Sequence, residues 1–119
     1  MKRRALGSTG LSVSEIGFGC GPTAGLMVCG DAEARQEAVA RALELGIDYF
    51  DTAPAYGDTL SEQHLGETLR ALGVKPFIAT KIALELSDLD DIPGAVTRSV
   101  EASIARLGVE RLDLVQLHN

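Results

Sequence analysis

The chain has 119 residues, 45% of them hydrophobic, and a formal net charge of −6 at pH 7. This composition is typical of a folded domain and excludes a disordered tail. The acidic balance argues against a nucleic-acid partner, which requires a basic face, and it is unfavourable for a cofactor that carries phosphates.

The termini and the cysteines indicate where the protein works. Residues 1–4 are basic, but the next ten are too polar for the core of a signal peptide. No apolar run reaches the roughly 18 residues of a membrane span. Cys20 and Cys29 match neither a zinc site nor a disulfide framework. We therefore expect a cytoplasmic protein with reduced thiols and no membrane partner.

The first predicted element is a β-hairpin. Its strands lie within residues 2–6 and 11–14, on either side of the turn signal Ser8-Thr9-Gly10. Short apolar, β-prone runs then follow at residues 16–19, 47–50, 77–80 and 112–117.

Three amphipathic helices are predicted between these runs, over residues 32–45, 60–72 and 93–107. Asp31 is suited to cap the first helix, and Thr59 and Glu62 have the spacing of a capping box at the second. Pro93 suits the first turn of the third helix. Each helix is followed by a glycine that can end it: Gly46, Gly73 and Gly108.

This alternation of strands and helices predicts an α/β fold with a parallel sheet, in a single domain over residues 1–119. Four such units fit either an open, doubly wound sheet or half of an eight-stranded barrel. Residues 17–21 are glycine-rich, but a long loop separates them from the first helix. The pattern therefore favours tight backbone at a barrel strand end over a dinucleotide-binding loop.

Three consecutive predicted strands are each followed by an ionisable residue: Asp51, Lys81 and His118. Because functional groups collect at the carboxyl ends of parallel strands, these side chains are expected on one rim. Tyr56 lies in the loop after Asp51, which contains a proline and a glycine that stiffen and turn it. The sequence thus predicts that four functional side chains converge.

The chemistry expected of this set is proton transfer between a carbonyl and an alcohol. A free phenol titrates near pH 10, too high for efficient proton exchange at neutral pH. An ammonium about 4 Å away stabilises a phenolate by about 4 kcal/mol at an effective dielectric near 20. Asp51 would keep Lys81 charged, and His118 would orient a carbonyl oxygen. Each residue alone also has a structural explanation, but their combination favours a catalytic site without a nucleophile or metal.

The segment around Asp51 carries a family resemblance. Residues 46–57, GIDYFDTAPAYG, followed by Ser61-Glu62 and Leu65-Gly66, strongly resemble the aldo-keto reductase signature. Further segments are similar to the hairpin and to the first, third and fourth strands of that family: residues 6–14, 16–19, 79–81, and 99–107 with 112–118.

The resemblance implies a TIM (β/α)8 barrel that interconverts aldehydes or ketones and alcohols with NADPH or NADH, acting on a small-molecule carbonyl or sugar. It makes Tyr56 the general acid/base, Lys81 the cation beside it, Asp51 the partner of Lys81, and His118 the imidazole that orients the substrate. Residues at the first strand end, Gly19, Cys20 and Gly21, would lie beside the nicotinamide ribose, as would Asp51. Asn119 stands where many members carry tryptophan and several sugar-dehydrogenase-like members carry asparagine.

The length of the chain differs from that of the family barrel, which needs about 250 residues. We therefore expect a truncated barrel of a hairpin and about four βα units, inactive alone, whose exposed sheet edges favour homo-oligomers. Two alternatives stay open at this point: a regulatory or binding subunit with a reductase fold, and a self-assembling half-barrel without activity.

Overall fold

The computed structural model describes residues 1–23 and 25–118. Its strands are β1 (Arg3–Ala5), β2 (Ser12–Ser14), β3 (Phe18–Gly19), β4 (Tyr49–Asp51), β5 (Phe77–Ile82) and β6 (Leu114–Leu117). Its α-helices are α1 (Leu26–Cys29), α2 (Ala32–Glu44), α3 (Leu60–Leu72) and α4 (Ile92–Leu107). A 3-10 turn, Leu86–Asp88, precedes α4.

The strands form two sheets. β1 and β2 pair antiparallel as the predicted hairpin, and β3, β4, β5 and β6 form a parallel sheet in chain order. An open, doubly wound sheet reverses its strand order at a switch point. Here sequential strands are always neighbours, which is the order of a barrel, so the predicted α/β fold with a parallel sheet is confirmed.

The helices cover one face of this sheet because the strand side chains alternate. Phe50 of β4 and Ile78 of β5 belong to a buried cluster together with residues from all three long helices: Val39, Ala42, Leu65, Leu69 and Leu107. Full burial of one such Leu, Val or Phe side chain contributes about 1.5–3 kcal/mol. The opposite face carries Asp51 and Lys81, so the packing of the core directs the polar side chains away from the helices.

The hairpin is attached to the amino end of β4 through Asp48. The Asp48 carboxylate accepts hydrogen bonds from the Ser14 N–H at 2.9 Å and from Arg3 at 2.5 Å. Burial opposes the charged form, but the bonds from Arg3 and Ser14 lower the pKa of Asp48 below its ordinary value. The hairpin therefore lies at the end of the strand opposite to Asp51.

The helix boundaries agree with the predicted ones to within one residue. Asp31 caps α2 as predicted, accepting from the Ala34 N–H at 2.8 Å. The capping box at α3 is wrong. Thr59 has φ 71° and makes no side-chain cap bond, and Glu62 is buried, with stronger partners elsewhere.

Candidate active site

The register of the sheet brings the predicted strand-end residues to one rim. Asp51, the last residue of β4, pairs with Gly19 on one side and Ala79 on the other. Lys81 lies two residues beyond Ala79 on the same face of β5. His118 follows β6, and its N–H donates to the Ile82 carbonyl at 2.8 Å. All three residues therefore lie at the carboxyl end of the sheet.

Lys81 and Asp51 form a close polar contact at this rim. Lys81 Nζ donates to Asp51 Oδ1 at 2.5 Å and to the Thr52 carbonyl at 3.0 Å. The Lys81 side chain is only 12% exposed, and this burial by itself disfavours the ammonium. The contacts with Asp51 and Tyr56 outweigh it, so the pKa of Lys81 is raised above its ordinary value. Lys81 is thus a firmly held cation.

Tyr56 lies beside this cation. Lys81 Nζ is 4.8 Å from the centroid of the Tyr56 ring. The imidazole of His118 meets the same ring edge-on, with centroids 5.7 Å apart and an interplanar angle of 82°. The Tyr56 ring therefore contacts both a cation and an imidazole.

A left-handed turn holds the tyrosine loop in place. Gly57, Asp58 and Thr59 all have positive φ, at 63°, 50° and 71°. Such a run of left-handed backbone is costly for non-glycine residues and is common at functional sites. A Cβ at position 57 would stand 2.4 Å from Cγ1 of Val28. The loop therefore packs directly against α1, and glycine is required at its point of contact.

The predicted cofactor-binding residues of the first strand end divide into two groups. Gly19 is exposed beside Asp51, with no atom within 4 Å of the place of its missing Cβ, and the corresponding place at Gly21 is 3.8 Å from the Tyr56 ring. Cys20 does not face the rim: its thiol belongs to the buried core. Its N–H donates to the Asp51 carbonyl at 2.8 Å, and its carbonyl accepts from Ser61 at 2.8 Å.

Tyr49, the other tyrosine of the chain, lies deeper on the same sheet face. Its ring stacks on Phe77 with centroids 5.2 Å apart. Burial raises the pKa of Tyr49, the charge of Asp51 raises it further, and Lys81 opposes them. Tyr49 is therefore the less suitable proton donor and a matched control for Tyr56.

Sequence reasoning assigned no functional position to a buried polar layer beneath the rim. Its members are Thr52, Ser61, Glu62 and Thr80, each at most 1% exposed. One sequence signal for it exists. Glu62 lies on the same helix face as Leu65 and Leu69, so a carboxylate interrupts an apolar stripe. That pattern indicates a buried, paired acid rather than a capping residue.

The described residues contain neither a metal-binding cluster nor a membrane-spanning helix. Within residues 1–23 and 25–118, no three His, Cys, Asp or Glu side chains gather as they would around a metal ion. In the same ranges no helix has the length and apolar character needed to cross a bilayer. The predicted significance of Asn119 lies outside the described residues.

Comparison with known proteins places this geometry in a family. Residues 15–119 match the model of the aldo/keto reductase family. L-Galactose dehydrogenase of Arabidopsis thaliana is 39% identical over 122 aligned residues, covering 98% of this chain and 37% of that protein. The chain therefore belongs to the aldo/keto reductase family.

Solved structures agree with this assignment. The holo form of aldo-keto reductase AKR11C1 from Bacillus halodurans superposes with a TM-score of 0.78 and 33% identity, over 99% of this chain and 40% of that one. An aldo-keto reductase from Klebsiella pneumoniae, solved in complex with NADPH, superposes with a TM-score of 0.70 and 26% identity, over 90% and 36%. The chain thus spans less than half the length of these relatives.

Proposed function

We propose that this chain supplies the proton-transfer residues of an NAD(P)H-dependent oxidoreductase that interconverts aldehydes or ketones and alcohols. The observation that carries the proposal is the place of the Lys81 ammonium, 2.5 Å from the Asp51 carboxylate and 4.8 Å from the centre of the Tyr56 ring. A structural ion pair alone would not account for a phenol beside the cation and an imidazole against that phenol.

Each of the four side chains has a separate part in this reaction. Tyr56 gives its proton to the carbonyl oxygen during reduction and takes it back during oxidation. The Lys81 ammonium stabilises the phenolate that is left, and Asp51 keeps that ammonium charged and in place. The imidazole of His118 donates a hydrogen bond to the carbonyl oxygen and directs it toward the phenol.

The residues at the end of β3 fit a nicotinamide nucleotide. The space at Gly19 is open, beside the partly exposed Asp51 carboxylate, and supports a place for the ribose there. Gly19, Gly21 and Asp51 would hold that end of the cofactor. When bound, the nicotinamide supplies the hydride for reduction or accepts it in oxidation. The NADPH complex of the Klebsiella relative supports NADPH as the donor.

A small carbonyl compound or a sugar is the proposed substrate. The relative named L-galactose dehydrogenase supports the sugar. The described residues provide four parallel strands of the barrel. Because a barrel encloses its substrate with loops from all eight strands, we expect no turnover when the 119-residue chain is assayed alone.

A chimeric barrel tests the proposed reaction. The chain is fused to the remaining segment of AKR11C1 from Bacillus halodurans, whose corresponding part has the same fold, and assayed for NADPH-dependent reduction of small aldehydes and sugars. Tyr56→Phe removes the transferable proton, so kcat is expected to fall by about 10²–10⁴-fold, the usual contribution of a general acid.

Tyr49→Phe is the matched control, and it should keep most of the activity. Undiminished kcat in the Tyr56→Phe chimera would refute the assignment of the acid. NADPH binding without turnover in the parent chimera would instead favour a regulatory subunit. A second chimera, built with the glycerol dehydrogenase AKR11B4 from Gluconobacter oxydans, covers the case in which the first is insoluble.

A further inference from the structure

Two adjacent residues at the start of α3, Ser61 and Glu62, are the centre of the buried polar layer. Both are 0% exposed, although serine and glutamate are ordinarily surface residues. Buried polar groups persist where they are fully hydrogen-bonded. The partners of this pair therefore show what it holds.

Ser61 connects two strand ends and the tyrosine loop. Its hydroxyl donates to the Cys20 carbonyl at 2.8 Å and lies 2.9 Å from the hydroxyl of Thr52. Its backbone N–H donates to the carbonyl of Tyr56 at 3.2 Å. One residue thus contacts the chain just after β3, just after β4 and at the candidate acid itself.

Glu62 connects the next strand to the helix layer. Its Oε1 accepts from the Thr80 hydroxyl at 2.6 Å, and its Oε2 accepts from Arg106 Nε at 2.6 Å. Thr80 directly precedes Lys81 in β5, and the two side chains leave opposite faces of the strand. A shift of Thr80 toward or away from Glu62 therefore moves the base of Lys81.

The hydrogen bonds of Ser61 and Glu62 both reach Lys81 through a neighbouring residue. Lys81 donates to the carbonyl of Thr52, whose side chain contacts Ser61, while Thr80 is held by Glu62. We propose that Ser61 and Glu62 are positioning residues, which together set the spacing between the Lys81–Asp51 pair and Tyr56. The catalytic importance of this spacing rests on the proposed function, but the spacing itself can be measured without any assay of activity.

An NMR titration of Lys81 tests the inference on the whole chain. The protein has three lysines, Lys2, Lys75 and Lys81, so ¹³Cε-lysine labelling gives three signals, and Lys81→Arg identifies the third. Asp51→Asn calibrates the readout, because the Asp51 carboxylate raises the pKa of Lys81. Its loss should move the Lys81 midpoint down.

Three variants then perturb the two positioning residues and the partner of Glu62: Ser61→Ala, Glu62→Gln and Thr80→Val. Each should move the Lys81 midpoint in the same direction as Asp51→Asn and weaken the nuclear Overhauser contacts between the Lys81 side chain and the Tyr56 ring. Thr80→Val and Ser61→Ala each remove one hydroxyl with little change of shape, so the test stands even if Glu62→Gln does not fold.

Leu69→Ala is the control for stability alone. Leu69 lies on the buried face of α3 and belongs to the apolar core. The Leu69→Ala substitution should lower the unfolding midpoint and leave the Lys81 titration midpoint unchanged. The inference is overturned if the Lys81 titration and the Tyr56 contacts stay at their parent values in the folded variants, or if Leu69→Ala shifts them equally. Neither result bears on whether Tyr56 is the acid, which the chimera decides by turnover.

Discussion

The two cysteines show how strongly position decides the reactivity of one residue type. Cys20 is buried in the core beneath the rim, whereas Cys29 is exposed at the end of α1. Burial raises the pKa of the Cys20 thiol to about 12, the Asp51 charge contributes in the same direction and Lys81 opposes it. Since the thiolate is the reactive form, Cys20 is inert at neutral pH.

We therefore predict that a disulfide reagent at pH 8 modifies one thiol of the native chain and two in denaturant. The second thiol becomes accessible only when the core opens, and its thiolate fraction in the native chain stays negligible until the pH approaches about 12. Absorbance of the released thiol dye measures both counts. Cys29→Ser should abolish the native reaction, and rapid labelling of that variant would contradict the burial of Cys20.

At this scale the sequence predicts which ionisable residues reach the rim but not what supports them. Asp51, Lys81 and His118 are marked by their place after β-prone runs, and the register places them together. Ser61 and Glu62 lie in a helix whose spacing also fits a capping box. Whether Glu62 caps the helix or belongs to the buried polar layer depends on its contacts with Thr80 and Arg106. Both partners are distant in the sequence, so local spacing cannot reveal them.

Arg106 makes the helix layer depend on the buried Glu62. Its Nε donates to Glu62 at 2.6 Å and its NH2 group donates to Ser103 at 3.0 Å. The Glu62 side chain has no solvent exposure, and that of Arg106 is 23% exposed. A buried carboxylate that loses its cation is left without compensation. α3 and α4 are thereby joined through one ion pair, and Glu62 also joins α3 to β5 through the hydrogen bond from Thr80.

Arg106→Ala is expected to lower the free energy of unfolding by about 3–5 kcal/mol, as removal of one partner of a buried pair does. Arg98→Ala is the matched control on the same helix. Arg98 pairs with Asp91 at 3.1 Å with both side chains more than half exposed, so its loss should leave the urea midpoint nearly unchanged. Urea unfolding monitored by circular dichroism measures both variants. Equal losses of unfolding free energy would contradict a special role for the buried pair.

The elements themselves were well predicted because their signals are local. Helical periodicity and the glycines after each helix place α2, α3 and α4 within one residue. The four-residue α1 has too few turns to show a period, and the strands β3 and β4 are shorter than their β-prone runs. Their ends depend on pairing with neighbouring strands rather than on propensity.

For the whole molecule, the outer strands of the parallel sheet are the sites at which association with another chain is expected. Within the described residues neither β3 nor β6 has a second neighbour. Leu117 of β6 is 65% exposed, and it shares the helix-facing side with Val115, which pairs with Thr80. An open edge with exposed apolar side chains is a template for association.

We predict that the isolated chain sediments as more than a monomer at micromolar concentration. Leu117→Lys places a charge on the open edge, where lysine blocks strand pairing, and should shift the distribution toward monomer. Leu86→Lys, at an 88% exposed position in the turn before α4, is the matched control and should not. A concentration-independent monomer for the parent chain would contradict the prediction.

The agreement between strand order and chain order has a consequence for biosynthesis. After β3, each strand of the parallel sheet pairs with the strand made just before it, so every new pairing spans one βα unit. Because the entropic cost of closing a loop grows with its length, a partner one unit away costs less to reach than a more distant strand would. During translation, each βα unit can dock on its predecessor as it leaves the ribosome, so the Lys81–Asp51 contact can form before β6 has been synthesised.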